Sequence, residues 1–213
     1  MKFRTARGIV ERGVLAGNTF DKYGSPNVIV KWLMKKFEST MFDFVQTVSP
    51  ETINDIGCGE GYWVLCWNKR GVKARGCDFS LQVIQIAREN AQANGLSPAL
   101  FKQRSIYDLD EQQDKADLVV CCEVLEHLED PGAGLRALQR VAGRYLIVSV
   151  PREPVWRLLN MARCKYINEL GNTPGHIQHW SKSSFIGFVS ECFTVVEAKS
   201  PLPWTMLLCR PRD

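Results

Sequence analysis

Three histidines occur among the 213 residues, and each falls in a segment suited to chemistry. His127 closes the run Val119-Val120-Cys121-Cys122-Glu123-Val124-Leu125-Glu126-His127. His176 and His179 share the stretch Thr173-Pro174-Gly175-His176-Ile177-Gln178-His179-Trp180-Ser181. With an unperturbed pKa of about 6.5, imidazole is well matched to accepting a proton at neutral pH. His176 is preferred over His179 as a base or substrate contact. His179 has a competing role as the cap of a helix starting near Ser181, and His127 has one in orienting its own loop. A second set of candidates is built on glycine. Ile53-Asn54-Asp55-Ile56-Gly57-Cys58-Gly59-Glu60-Gly61-Tyr62-Trp63 places three glycines two apart behind an aspartate. Glycine admits left-handed backbone and the close approach of a ligand.

These residues need elements to hold them. Short β-branched runs alternate with longer amphipathic segments, the pattern of an α/β protein with a parallel sheet. Helical spacing of Val30, Leu33, Met34, Phe37, Met41, Phe44 and Val45 predicts a helix over 28–48, stopped by Pro50. A strand over 52–56 leads into the glycines, which open a helix from Tyr62 to about Arg70. A second strand at 73–77 is followed by a helix capped by Ser80 and closed by Gly95. Further strands are expected at 99–103, 116–122 and 145–150, with a helix opening on Pro131. Runs 193–198 and 204–209 are joined by only five residues, so they must lie antiparallel. Five parallel strands closed by an antiparallel hairpin, with helices on both faces, is the expected fold.

In such sheets a ligand lies at the carboxyl edge where strand order reverses, which is where the glycines fall. Asp78 follows the second strand, 21 positions after Gly57, and could accept hydrogen bonds from both hydroxyls of a ribose. The spacing is G-x-G-x-G, whereas the dinucleotide fingerprint is G-x-G-x-x-G. Glu60 would set a negative charge where a pyrophosphate sits, a mark against a nicotinamide dinucleotide.

Composition bounds the remainder. The chain is 45% hydrophobic and 23% charged, with net charge +4 and pI near 8.6. That balance gives little reason to expect nucleic-acid binding. No run reaches the ~20 apolar residues of a membrane-spanning helix. Lys2, Arg4, Arg7 and Arg12 have no apolar run behind them, so the first dozen residues read as a solvated, disordered tail, and residues 1–26 together as tail and lid. Eight cysteines contain no C-x-x-C and no His pair at ligand spacing. No metal site is expected, and a reducing, cytoplasmic compartment is.

Taken in order, Asp55-Ile56-Gly57-Cys58-Gly59-Glu60-Gly61, Gly76-Cys77-Asp78-Phe79-Ser80 and Asp117-Leu118 through Glu129-Asp130-Pro131 resemble the class I S-adenosylmethionine (SAM) dependent methyltransferases. The run Glu123-Val124-Leu125-Glu126-His127-Leu128-Glu129-Asp130-Pro131 is most similar to the small-molecule branch, including ubiquinone-biosynthesis O-methyltransferases. The resemblance covers residues 27–210 and implies a Rossmann-like, seven-stranded, mostly parallel sheet with a C-terminal antiparallel strand. It implies SAM as cofactor, S-adenosylhomocysteine as product, and a small-molecule acceptor methylated at a hydroxyl oxygen. Carried over, Asp55, Gly57, Cys58, Gly59 and Gly61 line the methionine end, Asp78 with Phe79 holds the ribose, and Glu123 lies near the methionine end. Ile106 packs on adenine. Ser105 stands where many relatives carry an acidic residue for the adenine amino group, which puts that contact in question. Tyr23, in Asn18-Thr19-Phe20-Asp21-Lys22-Tyr23, closes over the cofactor. The long segment 151–191 covers the substrate. Its basic, amphipathic stretch 155–166 fits either a core helix with solvated charges or a lipid-like or anionic acceptor met at a membrane surface. Monomer and homodimer stay open. Two rivals remain: a nicotinamide oxidoreductase on a related sheet, and a non-catalytic SAM-fold scaffold.

Overall fold

In the computed structural model, residues 1–11, 14–18 and 21–212 are described. A small antiparallel pair, β1 (Ile9–Glu11) and β2 (Val14–Ala16), precedes the main sheet. That sheet contains β3 (Thr52–Ile56), β4 (Lys73–Asp78), β5 (Phe101–Gln103), β6 (Ala116–Cys122), β7 (Ala142–Pro151), β8 (Phe193–Lys199) and β9 (Trp204–Pro211). Its order is β5-β4-β3-β6-β7-β9-β8. The first five of these pair in parallel, and β9 lies antiparallel to both β7 and β8. The chain leaves β3 toward one edge, through β4 and β5, then returns to β6 on the other side. The reversal therefore falls between β3 and β6, at the end of the strand that feeds the glycine loop.

Alternation along the strands explains why both faces are covered. Leu118 and Val120 of β6, Ile147 of β7, and Met206 and Leu208 of β9 face one cluster. It is completed by α1 (Val28–Val48), α2 (Tyr62–Asn68) and α3 (Leu81–Ala93). Val119 and Cys121, Leu146 and Val148, and Leu207 and Cys209 face the other. There they meet α5 (Pro131–Val141) and α7 (Lys182–Val189), with the short α4 (Glu111–Asp114) and α6 (Val155–Ala162) lying between elements. Caps set the helix starts. Asn27 Oδ1 accepts from Ile29 N and Val30 N, Ser80 Oγ from Val83 N, and Ser181 Oγ from Ser184 N.

Several expectations shift. The first residues are not a solvated tail. Asn90 exchanges hydrogen bonds with both backbone groups of Arg4, and Asn94 does so with those of Lys2. Glu11 accepts from Ser80 Oγ at 2.6 Å, at the amino end of α3 where the backbone dipole favours a carboxylate. Side-chain amides on α3 thus hold this strap in a way that its own composition does not reveal. The strand expected at 99–103 is shorter because Ser97 caps a 3-10 turn at Pro98–Leu100. The helix expected over 155–166 ends at Ala162, since Cys164 and Tyr166 adopt left-handed backbone that a helix cannot continue. The helix expected to reach Arg70 ends at Asn68. Thr19, Phe20 and Arg12 lie outside the described residues.

Candidate active site

The three glycines bend the chain for three different reasons. All have positive φ: +76° at Gly57, +53° at Gly59 and +86° at Gly61. A methyl group on Gly57 would strike Val124, and one on Gly61 would strike the Phe101 ring. These two are glycine so that the protein can pack against itself. Only Gly59 opens onto free space, and so only there does the bare backbone leave room for a ligand. Cys58 also faces inward, its side chain packed where a β-carbon on Gly76 would go. Gly57 N and Cys58 N both donate to Cys77 O, which ties the loop to β4.

Two carboxylates meet beneath this loop. Asp78 Oδ2 accepts from Gly59 N at 3.1 Å and Oδ1 from Ser80 N at 3.0 Å. Burial pushes its carboxyl up to about 6 against those bonds, which favour the ionised form. Asp55 is 3% exposed, and its Oδ2 has no partner. Burial, then the Asp78 charge, raises it to about 8. An unpaired buried carboxylate is costly, and a cation brought alongside would relieve that cost. Glu60 does not face this crevice. It is 1% exposed and accepts from Ala6 N, Asn18 N and Asn18 Nδ2 at 2.8, 2.8 and 2.5 Å. Its charge fastens the N-terminal strap, so the argument that it repels a pyrophosphate falls. Phe79 is half-buried, with its carbonyl accepting from Gln103 Nε2. Ser105 caps the turn at Ile106–Asp108, and Ile106 is buried in the cluster beneath α5.

Glu123 stands at the end of β6 in left-handed backbone, φ +60°. Its Oε1 accepts from Ser149 Oγ at 3.0 Å and its Oε2 from Trp204 Nε1 at 2.7 Å. Register places these partners there, because Cys122 pairs with Ser149 and Pro151 with Trp204. Tyr23 stacks on Tyr62 with ring centroids 3.5 Å apart and lies edge-on to Trp63. Burial comes first among the causes raising its hydroxyl, and Tyr62 and Asp55 follow.

The histidines separate. His127 and His176 meet edge to face at 4.9 Å, with the other side of His176 stacked on Trp156. His127 Nδ1 lies 2.8 Å from Gly175 O, which makes Nδ1 the protonated nitrogen and leaves Nε2 its lone pair. Burial, then His127, pushes His176 down to about 3, which makes it a weak proton acceptor. His179 is exposed and turns away to Asn172 Oδ1 and Arg157, while Ser181 caps the following helix itself. Glu126 was not among the residues singled out from the sequence, yet it joins His127 and His176, with one ligating atom from each within 4.8 Å of the others. The expectation of no metal-ligating set rested on spacing along the chain, and 49 residues separate the two rings. Two further residues shape the segment that follows β7. Asn160 Nδ2 donates to Gly171 O, and Trp156 Nε1 donates to Thr173 Oγ1. Their signal in the sequence was only an Asn and a Trp in an amphipathic run.

A family described as a methyltransferase domain matches residues 48–192. The ubiquinone biosynthesis O-methyltransferase of Aeromonas salmonicida is 31% identical over 121 residues, 55% of this chain and 51% of that one. The protein of the same name from Serratia proteamaculans is 26% identical over 144 residues, covering 65% and 60%. The chain thus spans about half the length of the curated relatives it matches. Among solved structures, magnesium protoporphyrin IX methyltransferase from Synechocystis PCC 6803 with bound SAH superposes with a TM-score of 0.66 at 20% identity, over 91% of this chain and 94% of that one. At that identity the likeness speaks for the fold.

Proposed function

Since the chain belongs to the methyltransferase-domain family, we propose that it is a SAM-dependent enzyme that methylates a hydroxyl oxygen of a small-molecule acceptor. The observation that carries this reading is the crevice at the β3/β6 reversal. It offers an open face at Gly59, a carboxylate bonded to the Gly59 amide, and the unpaired oxygen of Asp55. Asp78 accepts the ribose hydroxyls. Asp55 supplies countercharge to the cationic sulfonium and ammonium. Glu123, braced by Ser149 and Trp204, borders the methionine end. Tyr23 closes from the N-terminal side and keeps water out.

Methyl transfer is an in-line displacement with a neutral leaving group. Holding the acceptor oxygen on the axis of the breaking bond can supply up to ~7–11 kcal/mol of the barrier reduction. Segment 151–180 covers the approach to this axis. Exposed Leu158, Ile167, Leu170 and Ile177 on that segment support an apolar or amphiphilic acceptor. No helix among the described residues is long and apolar enough to cross a membrane.

The test is calorimetric titration with SAM and with NAD, followed by labelled-SAM incubation of small-molecule extracts and mass spectrometry. SAM binding and a product heavier by one methyl are expected. NAD binding without SAM binding would overturn the reading in favour of an oxidoreductase. SAM binding with no methylated product would leave a scaffold.

A further inference from the structure

We propose that the β1–β2 hairpin is a gate on the methyl-donor crevice, lifting off Glu60 and Ser80 to let SAM reach Asp78 and closing again behind it. The proposal rests on the methyltransferase reading and states how that site is entered. Both feet of the hairpin stand on one carboxylate: Ala6 N and Asn18 N each donate to Glu60 Oε1 at 2.8 Å. The hairpin then reaches the start of α3, where Glu11 Oε2 accepts from Ser80 Oγ at 2.6 Å. Gly17 is packed close at the second foot, since a methyl group there would meet Val83 as well as Glu60 Oε1.

These two points of attachment lie on either side of the cofactor carboxylate. Glu60 directly follows Gly59, and Ser80 lies two residues past Asp78, so the hairpin bridges the pair joined by the bond from Gly59 N to Asp78 Oδ2. Asp78 is 7% exposed and Asp55 3%. A ribose cannot donate to a carboxylate sealed to that degree unless a neighbouring part of the chain moves. The strands that carry both aspartates are fixed in the middle of the sheet, which leaves the hairpin as the part able to move.

Its attachments suit a moving part. The latches at Glu60 and Glu11 are polar bonds that water replaces once the hairpin rises, and Val10 of β1 is 61% exposed. Apolar anchoring lies outside the latches. Phe3 meets Tyr23 and Tyr62 edge-on, with centroids 6.0 and 5.5 Å apart, and Tyr23 stacks on Tyr62. The hairpin can therefore rise while the chain on both sides of it stays docked. Gly8 and Gly17, at φ +84° and +68°, stand beside the two feet and supply the backbone freedom of a hinge.

The experiment is stopped-flow intrinsic fluorescence of the full-length chain with SAM in excess, together with amide exchange of Ala6 and Asn18 by NMR without ligand. In the parent the observed association rate should level off as SAM concentration rises, because opening becomes limiting. Glu60→Gln keeps the size and removes the charge. It should raise that plateau, the SAM dissociation rate and exchange at Ala6 and Asn18 by about tenfold or more, the factor carried by one charge-assisted hydrogen bond. Affinity should stay within about threefold, since a gate speeds entry and exit alike. Glu11→Gln should act in the same direction, and Lys115→Ala, which breaks an exposed ion pair with Glu111, should change nothing. Parent-like exchange in β3 and β6 would establish that the variants are folded. Association that rises linearly with SAM in the parent, or rates unchanged in Glu60→Gln, overturns the gate and leaves the proposed activity standing. So does an affinity loss carried by dissociation alone, which marks a binding contact. If neither the parent nor Glu60→Gln binds SAM by calorimetry, the donor reading itself falls and the gate with it.

Discussion

SAM binding should expel at least about one proton at pH 7, and the Asp55–Asp78 pair is the main source. In the free protein the pair titrates near 8 and 6, raised first by burial. At pH 7 a group of pKa 8 is ~90% protonated and one of pKa 6 ~10%, so the pair holds about one proton. Tyr23, Cys58, Cys77, Cys121 and Cys122 also face Asp55, and all five are raised by burial and stay neutral at pH 7. They have no charge to exchange. A ligand that brings a sulfonium and an ammonium beside Asp55 favours its ionised form, so binding releases the proton. Uptake by the amino group of SAM offsets only ~0.1 proton at this pH.

The measurement is calorimetry at pH 7 in buffers of differing ionisation enthalpy, where the slope of observed heat against that enthalpy counts protons. A slope of about one or somewhat above is expected, because Glu123, raised by burial to about 7 at the methionine end, adds up to ~0.5 proton; Asp55→Asn should lower the slope by ~0.9. The same linkage makes SAM bind roughly 15-fold more tightly at pH 7 than at pH 6. Stability of the free protein follows the opposite sign. Because folding raises the pKa of Asp55, its protonated form is favoured in the folded state. That stabilisation is complete at low pH and is lost as pH rises through 8. The loss between pH 7 and pH 9 is about 1.4 kcal/mol, and Asp55→Asn should abolish it. Heats independent of buffer at pH 7 would show that SAM does not approach this pair, and the placement of the cofactor would fail with it.

Other outcomes follow from the same geometry. Gly59→Ala should leave melting nearly unchanged beyond the ~1–2 kcal/mol cost of left-handed alanine, yet weaken SAM binding. Gly61→Ala, which drives a methyl into Phe101, should add ~1–3 kcal/mol of overpacking to that cost; urea denaturation of both separates the two roles. Glu60→Ala removes three acceptor contacts to the strap, each charge-assisted bond being worth ~1.5–3 kcal/mol. Hydrogen exchange within residues 1–18 should rise sharply while the central strands keep their protection. Tyr23→Ala should speed SAM dissociation by loss of the stack on Tyr62, measured by stopped-flow fluorescence, whereas Tyr23→Phe should not.

Local pattern carried the sheet and its cofactor crevice; it did not carry the far side of the pocket. Strand positions, the closing hairpin and the ends of β3, β4 and β6 follow from alternation and from the length of connections, which are properties of short windows. Glu60 shows the limit. Its charge was legible but its direction was not, because the amides that bind it come from Ala6 and Asn18, over 40 residues away. Asn90 and Asn94 were equally mute, as ordinary polar residues on a helix until the strap lies along them. The Glu126–His127–His176 group is the sharpest instance. Two of its members are adjacent and the third arrives only because Ile177 N and Gln178 N dock on Glu126 O. That docking depends on a loop whose turns at Cys164, Tyr166 and Leu170 adopt left-handed backbone without glycine, at roughly 1–2 kcal/mol each. Residues that hold such conformations do so because surrounding contacts impose them, so no window of sequence announces the turn. The arrangement has a consequence for the chemistry. The glycine crevice is assembled from strand ends, whereas the histidine pair joins one such end, at His127, to the segment after β7, at His176. On the proposed reading, a change confined to 151–180 should alter acceptor choice while leaving SAM affinity, set at Asp55, Gly59 and Asp78, close to that of the parent, which calorimetry on such variants would check.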